Sequence, residues 1–274
     1  MNLHPFDQAM VLQQQPDGST TGQTSPDYWN MIGPFGGITA AAALNAVLQH
    51  PQRLGEPIAL TVNFAGAMLP GTYVAQARPA RTNRSTQHWI VELLQADDSG
   101  TLQVTTTATA VTALRRSTFG GGDQPLPKVP SPAEVPRVHP PAGVEWLARY
   151  EMRPVHGAVP LQWDGHEGTD TTTRLWMRDD IPRVLDFCSL AALADVFFPR
   201  IWLRRAKRVP LGTVSMTVYF HAGSAELAAT GTGFVLGEAR AMAFRNGFFD
   251  QAAALWNESG LMLCSTHQTV YFKE

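Results

Sequence analysis

The sequence has little sulfur, no long apolar run and no excess of one charge. Cysteine occurs only at Cys188 and Cys264 among 274 residues. Both lie in apolar segments, which suits reduced core thiols rather than a disulfide framework or a zinc site. No stretch approaches the ~20 apolar residues of a membrane-spanning helix. The opening MNLHPFDQAM lacks the order of a secretion signal. Lysine and arginine total 21 against 23 acidic residues, a formal net charge of -2. That balance leaves no footprint for nucleic acid or an anionic membrane. The expectation is a cytoplasmic protein that binds neither.

Several chemistries lose their motifs as well. There is no G-x-S-x-G elbow for a serine hydrolase. GTGFVLGEAR has glycines but no following helix, so it reads as a strand or bend rather than a phosphate cradle. His156 and His166 match no ligand spacing and read as solvated loop residues. No metal and no cofactor are expected. Arg200, Arg204, Arg205, Lys207 and Arg208 in RIWLRRAKR have two readings: a solvated loop, which is favoured, or a clamp for a phosphorylated cofactor.

What is present is a globular composition, with 44% hydrophobic and 16% charged residues. Glycine and proline crowd residues 119–143, FGGGDQPLPKVPSPAEVPRVHPPAG, where neither helix nor central strand can persist. This linker separates residues 1–118 from 144–274. The two sides resemble each other. ITAAAALNAVL parallels FCSLAALADVF, LTVNFAGAM parallels MTVYFHAGS, and DSGTLQVTTTATAV parallels ESGLMLCSTHQTVY. Each side offers one helix followed by antiparallel strands, so an α+β protein of two helix-plus-sheet repeats is expected. In the second repeat, VLDFCSLAALADVFF reads as one helix and ELAATGTGFVL as a strand.

Three polar residues of the second repeat interrupt its apolar pattern: Asp195 in SLAALADVFF, Thr213 in GTVSMTVYF and Gln268 in CSTHQTVYF. The first repeat places Ala46, about Pro57 and Thr109 at the corresponding positions. Singly, each could be a surface charge, a strand residue or an edge amide. Their joint gain in one copy points to a shared site. The PFGGITA segment adds a helix amino end, whose free N–H groups and dipole favour an oxyanion. Gly36 and Gly37 there allow close backbone approach.

Together FGGITAAAALNAV, LTVNFAGAMLPGTY, RTNRSTQHWIVELLQ, LAALADVFFP, GTVSMTVYFHAG and CSTHQTVYF resemble the acyl-CoA thioesterases of the double hotdog type, similar to bacterial thioesterase II. The likeness runs from about Gly36 to Phe272. It implies a double hotdog fold and hydrolysis of acyl-CoA. It also implies an Asp, a Thr or Ser and a Gln that orient the attacking water, here Asp195, Thr213 and Gln268. Arg84 and Ser85 match the family's turn and enter as substrate-binding candidates with Gly36 and Gly37. Ser215 and Thr217 lie near Thr213, and spacing favours Thr213. The thioester is expected between the two repeats, with the Gly37 amide at its carbonyl, the three side chains opposite, and an apolar tunnel for the acyl chain. Exposed sheet edges favour a homo-oligomer. The alternatives are a hotdog enoyl-thioester hydratase or dehydratase, disfavoured by the lack of a helix histidine, and a non-catalytic acyl-thioester-binding protein.

Overall fold

The computed structural model describes residues 3–17, 19–139 and 143–274. Helix α1 (Pro5–Ala9) and short strands β1 (Gln13–Gln14) and β2 (Thr20–Gln23) precede the long helix α2 (Gly36–Leu48). Strands β3 (Glu56–Phe64), β4 (Thr72–Thr82), β5 (Thr86–Ala96) and β6 (Leu102–Ala113) follow. The second half opens with β7 (Tyr150–His156) and β8 (Thr173–Asp179), then α3 (Phe187–Leu193) and α4 (Arg200–Arg205). It continues through β9 (Leu211–Phe220), α5 (Ser224–Thr230), β10 (Val235–Arg240), β11 (Phe244–Arg245), β12 (Phe248–Asn257) and β13 (Met262–Phe272).

All the strands join one antiparallel sheet, ordered β1-β2-β4-β5-β6-β3-β9-β13-β12-β10-β8-β7, with β11 beside β12. Read from either edge, the two repeats give the same sequence of elements. They meet where β3 pairs with β9, and Thr61 faces Thr217 there with their hydroxyls 2.9 Å apart. The alanines of α2 explain how one sheet can wrap a helix so closely. Every residue from Gly37 to Val47 is buried, and small side chains let strands approach from several directions. Helices α2 and α3 pack side by side, so the end of one reaches the start of the other.

Three expectations need correction. Helix α3 stops at Leu193, with Asp186 as its N-cap, so Asp195 lies in a turn just beyond the helix rather than on its face. ELAATGTGFVL divides into α5 and β10, because Gly223 and Glu226 begin a helix and Gly231 ends it. The RIWLRR run is helical too. Arg200 is completely buried, donating to the Phe198 and Thr171 carbonyls and the Thr173 hydroxyl. It is therefore neither solvated nor available as a clamp. The linker residues that the structure describes lie along the second repeat, where Leu126, Val129 and Val135 pack against Trp176, Phe234 and Leu236. Pro140, Pro141 and Ala142, which the linker also spans, lie outside the described residues.

Candidate active site

Asp195 enters the site because α3 ends one turn too early to hold it. A carboxylate just past a helix C-terminus meets the unfavourable end of that helix's dipole. It is directed instead at the amino end of α2. The N-cap of α2 is Phe35, which has no side-chain acceptor. Asp195 supplies one from the other repeat, accepting a hydrogen bond from the Gly37 backbone. The glycines make this approach possible. A Cβ on Gly36 would lie 2.7 Å from Asp195 Oδ2, and one on Gly37 would lie 2.5 Å from the Ala192 carbonyl. The Gly37 amide thus faces Asp195 itself, not a point across from the three side chains as expected.

Gln268 provides the second contact. Its Nε2 donates to Asp195 Oδ1 at 2.7 Å and lies 3.4 Å from the Met216 sulfur. Only 3% of Gln268 is exposed, so the carboxylate compensates the burial of its amide. Burial pushes the Asp195 carboxyl up to about 7, while hydrogen bonds from Gln268 and Gly37 pull it back down.

Thr213 reaches the cluster through a β-bulge. Met216, Val218 and Phe220 are buried, and strict alternation from them would turn Thr213 outward with Ser215. The register shifts, however: Thr269 pairs with Ser215 while Val270 pairs with Thr213, which leaves Val214 unpaired and 39% exposed. The extra residue returns Thr213 to the inner face, with its hydroxyl 3.5 Å from Gln268 Oε1. Ser215 stays on the opposite face. Strand β3 has the same irregularity at Ile58, so the bulge belongs to both repeats.

Register also corrects the counterpart of Gln268. Gln268 pairs with Met216, whose equivalent Leu60 pairs with Ala110. The matching residue is therefore the buried Ala110, not the exposed Thr109. Arg84 and Ser85 are not brought to the cluster. They form the β4–β5 hairpin beside Ala113, at the Glu56 end of β3. Phe64, which packs beside Gly36, ends the same strand eight residues away, roughly 26 Å. Sequence reasoning missed Met216, whose pattern is simply that of a core residue. A small pocket lies beside α2, among Ile38, Ala42, Met68 and Leu93; none of Asp195, Thr213 and Gln268 lines it.

Comparison with known proteins agrees with this fold. The acyl-CoA thioesterase N-terminal domain matches residues 25–113, and the acyl-CoA thioesterase C-terminal domain matches residues 125–272. A conserved protein of unknown function with a hot dog fold from Alicyclobacillus acidocaldarius is similar over 100% of this chain and 99% of its own, with 44% identity and a TM-score of 0.92. A putative thioesterase II from Thermobifida fusca YX has 17% identity and a TM-score of 0.82, covering 100% of this chain and 99% of its own. An acyl-CoA thioesterase II from Mycobacterium marinum has 15% identity and a TM-score of 0.73, covering 98% of this chain and 96% of its own. The last two likenesses are of fold alone. No curated protein matches the chain. Carrying both family domains in order on one continuous sheet, the chain is a double hotdog and belongs to the acyl-CoA thioesterase family.

Proposed function

We propose that this protein hydrolyses acyl-CoA thioesters with a water activated by Asp195, Thr213 and Gln268. The observation that carries the reading is the 2.7 Å contact between Gln268 Nε2 and Asp195 Oδ1 at the amino end of α2. A carboxyl held near pH 7 is well matched to accept a proton under neutral conditions. Thr213 and Gln268 can each donate and accept, which suits them to fixing a water. The 3.5 Å gap between them is long for a hydrogen bond and leaves the hydroxyl free for that task.

Asp195 takes a proton as the water oxygen bonds to the thioester carbon. The carbonyl becomes an oxyanion, which the positive end of α2 stabilises. The C–S bond then breaks, the thiolate leaves, and the proton held by Asp195 returns to the products. Acid and CoA thiol account for every atom of thioester and water. A dehydrating or hydrating role would need a histidine as partner, and among the described residues no histidine bonds Asp195. Purified protein offered acyl-CoAs of graded length should release free thiol; acyl-CoA binding with no thiol release would support the non-catalytic alternative.

A further inference from the structure

The Gln268 amide makes a contact that the proposed mechanism does not use. Its Nε2 carries two hydrogens. That nitrogen donates to Asp195 Oδ1 at 2.7 Å and to the Met216 sulfur at 3.4 Å, while Oε1 lies 3.5 Å from the Thr213 hydroxyl. Met216 is completely buried, Gln268 almost so, and the two stand opposite each other on β9 and β13. The first repeat supplies a comparison. Leu60 holds the place of Met216 there, and it faces Ala110 in the place of Gln268. Leucine and methionine exchange readily in cores because their volumes are similar. The scaffold therefore accepts leucine at this position, and the thioether stands in the copy that has an amide to face.

The two ends of a side-chain amide have nearly the same shape, so its neighbours decide which end points where. Thr213 can donate or accept, and suits either end. Ionised Asp195 accepts only, and holds Nε2 toward itself. Once Asp195 has taken a proton, its O–H can donate to an amide oxygen, and the carboxyl no longer dictates the orientation. The thioether has lone pairs and no hydrogen to give, so it favours Nε2 whatever the charge on Asp195.

We propose that Met216 is a positioning residue whose sulfur, an acceptor only, keeps the Gln268 amide nitrogen turned toward Asp195 through both charge states of the carboxyl. With the amide fixed, Oδ1 remains an acceptor and the transferred proton rests on Oδ2, the oxygen beside Gly36. Without the sulfur, a turned amide accepts from protonated Asp195, favours that form and delays return of the proton. The role in turnover rests on the thioesterase reading; the orientation of the amide does not. Tyr150 of β7 also senses the Asp195 charge, but burial keeps its hydroxyl neutral, and Phe35, Gly36 and Gly37 at the amino end of α2 carry no titratable side chain.

The test uses Met216→Leu in the whole protein, with Met216→Ile as a second apolar variant should the first melt early. Leucine already fills this place in the first repeat, so the melting temperature should stay near that of the wild type. On an acyl-CoA, kcat should fall about three- to tenfold with KM unchanged. The acidic limb of the kcat/KM profile should move up by about half a pH unit or more, because the turned amide favours the protonated carboxyl. In a Gln268→Ala background the same substitution should change neither. A limb left in place, or an equal loss of kcat in the absence of Gln268, overturns the inference. The Asp195 carboxyl carbon can also be titrated by NMR without substrate, its signal identified by its loss in Asp195→Asn. Its titration should move up in Met216→Leu, and an unmoved titration overturns the inference. A wild type that shows this dependence on Met216 yet releases no thiol from any acyl-CoA overturns the thioesterase reading alone.

Discussion

Asp195 is held in a position that costs stability and, in the proposed mechanism, supplies the base. An unfolded aspartate titrates near ~3.9, whereas burial raises the folded group to about 7. The unfolded chain therefore releases this proton first. Stability falls as pH rises from about 4 to 7, and the full loss is present above 7. Asp195→Asn lacks that penalty. Its melting temperature should exceed the wild type's most at pH 8, and the advantage should shrink toward pH 4; a constant difference would remove the raised carboxyl from the account. Gln268 acts on the same group in the opposite direction, its hydrogen bond favouring the charged form. Gln268→Ala should thus move the acidic limb of the kcat/KM profile to higher pH as well as lowering kcat, and a limb left in place would show that the amide does not tune the base.

At the level of elements, a bulge and a buried arginine place these side chains. The Val214 bulge puts Thr213 inside and Ser215 outside. Thr213→Ala should lower kcat while Ser215→Ala changes it little, measured on the same acyl-CoA; equal losses would contradict the register. Arg200, held by the Phe198 carbonyl of its own segment, ties the segment after Asp195 to the start of β8 through the Thr171 carbonyl and the Thr173 hydroxyl. Losing hydrogen bonds made by a buried charge costs about 1.5–3 kcal/mol each. Arg200→Met should therefore lower the urea midpoint markedly, whereas Arg208→Met, at an exposed residue whose guanidinium rests over the Trp163 ring, should not.

These elements also show what the chain discloses before folding. Asp195 and Gln268 stand out because the other copy of the scaffold reads as having weaker chemistry in both places, Ala46 and Thr109. The count to Thr109 failed because β6 runs five residues from Gly100 to its unpaired Thr105 while β13 runs three from Gly260 to its unpaired Leu263, a difference in strand length that leaves no composition of its own to read. Arg200 looked solvated because it opens a run of basic residues, and a one-sequence pattern does not register the carbonyls that satisfy a buried charge. ELAATGTGFVL looked like strand because its threonines and glycines mask the Gly223–Glu226 helix start, which depends on a backbone contact.

Across the whole molecule, neither repeat is complete alone. The second contributes Asp195, Thr213 and Gln268; the first contributes the amino end of α2 that receives the carboxylate. The shared sheet and the packed α2 and α3 hold these parts in register, which explains why the copy without the polar residues is still needed. The central claim is that Asp195 is the base in thioester hydrolysis. It is tested most directly by following thiol release from a short-chain acyl-CoA, from pH 5 to 9, for the wild type and Asp195→Asn. The wild-type kcat/KM should rise through about pH 7 to a plateau, and Asp195→Asn should lie about 10²–10⁴-fold below that plateau with no such rise. A folded Asp195→Asn protein that matches the wild-type rate across this range would contradict the claim.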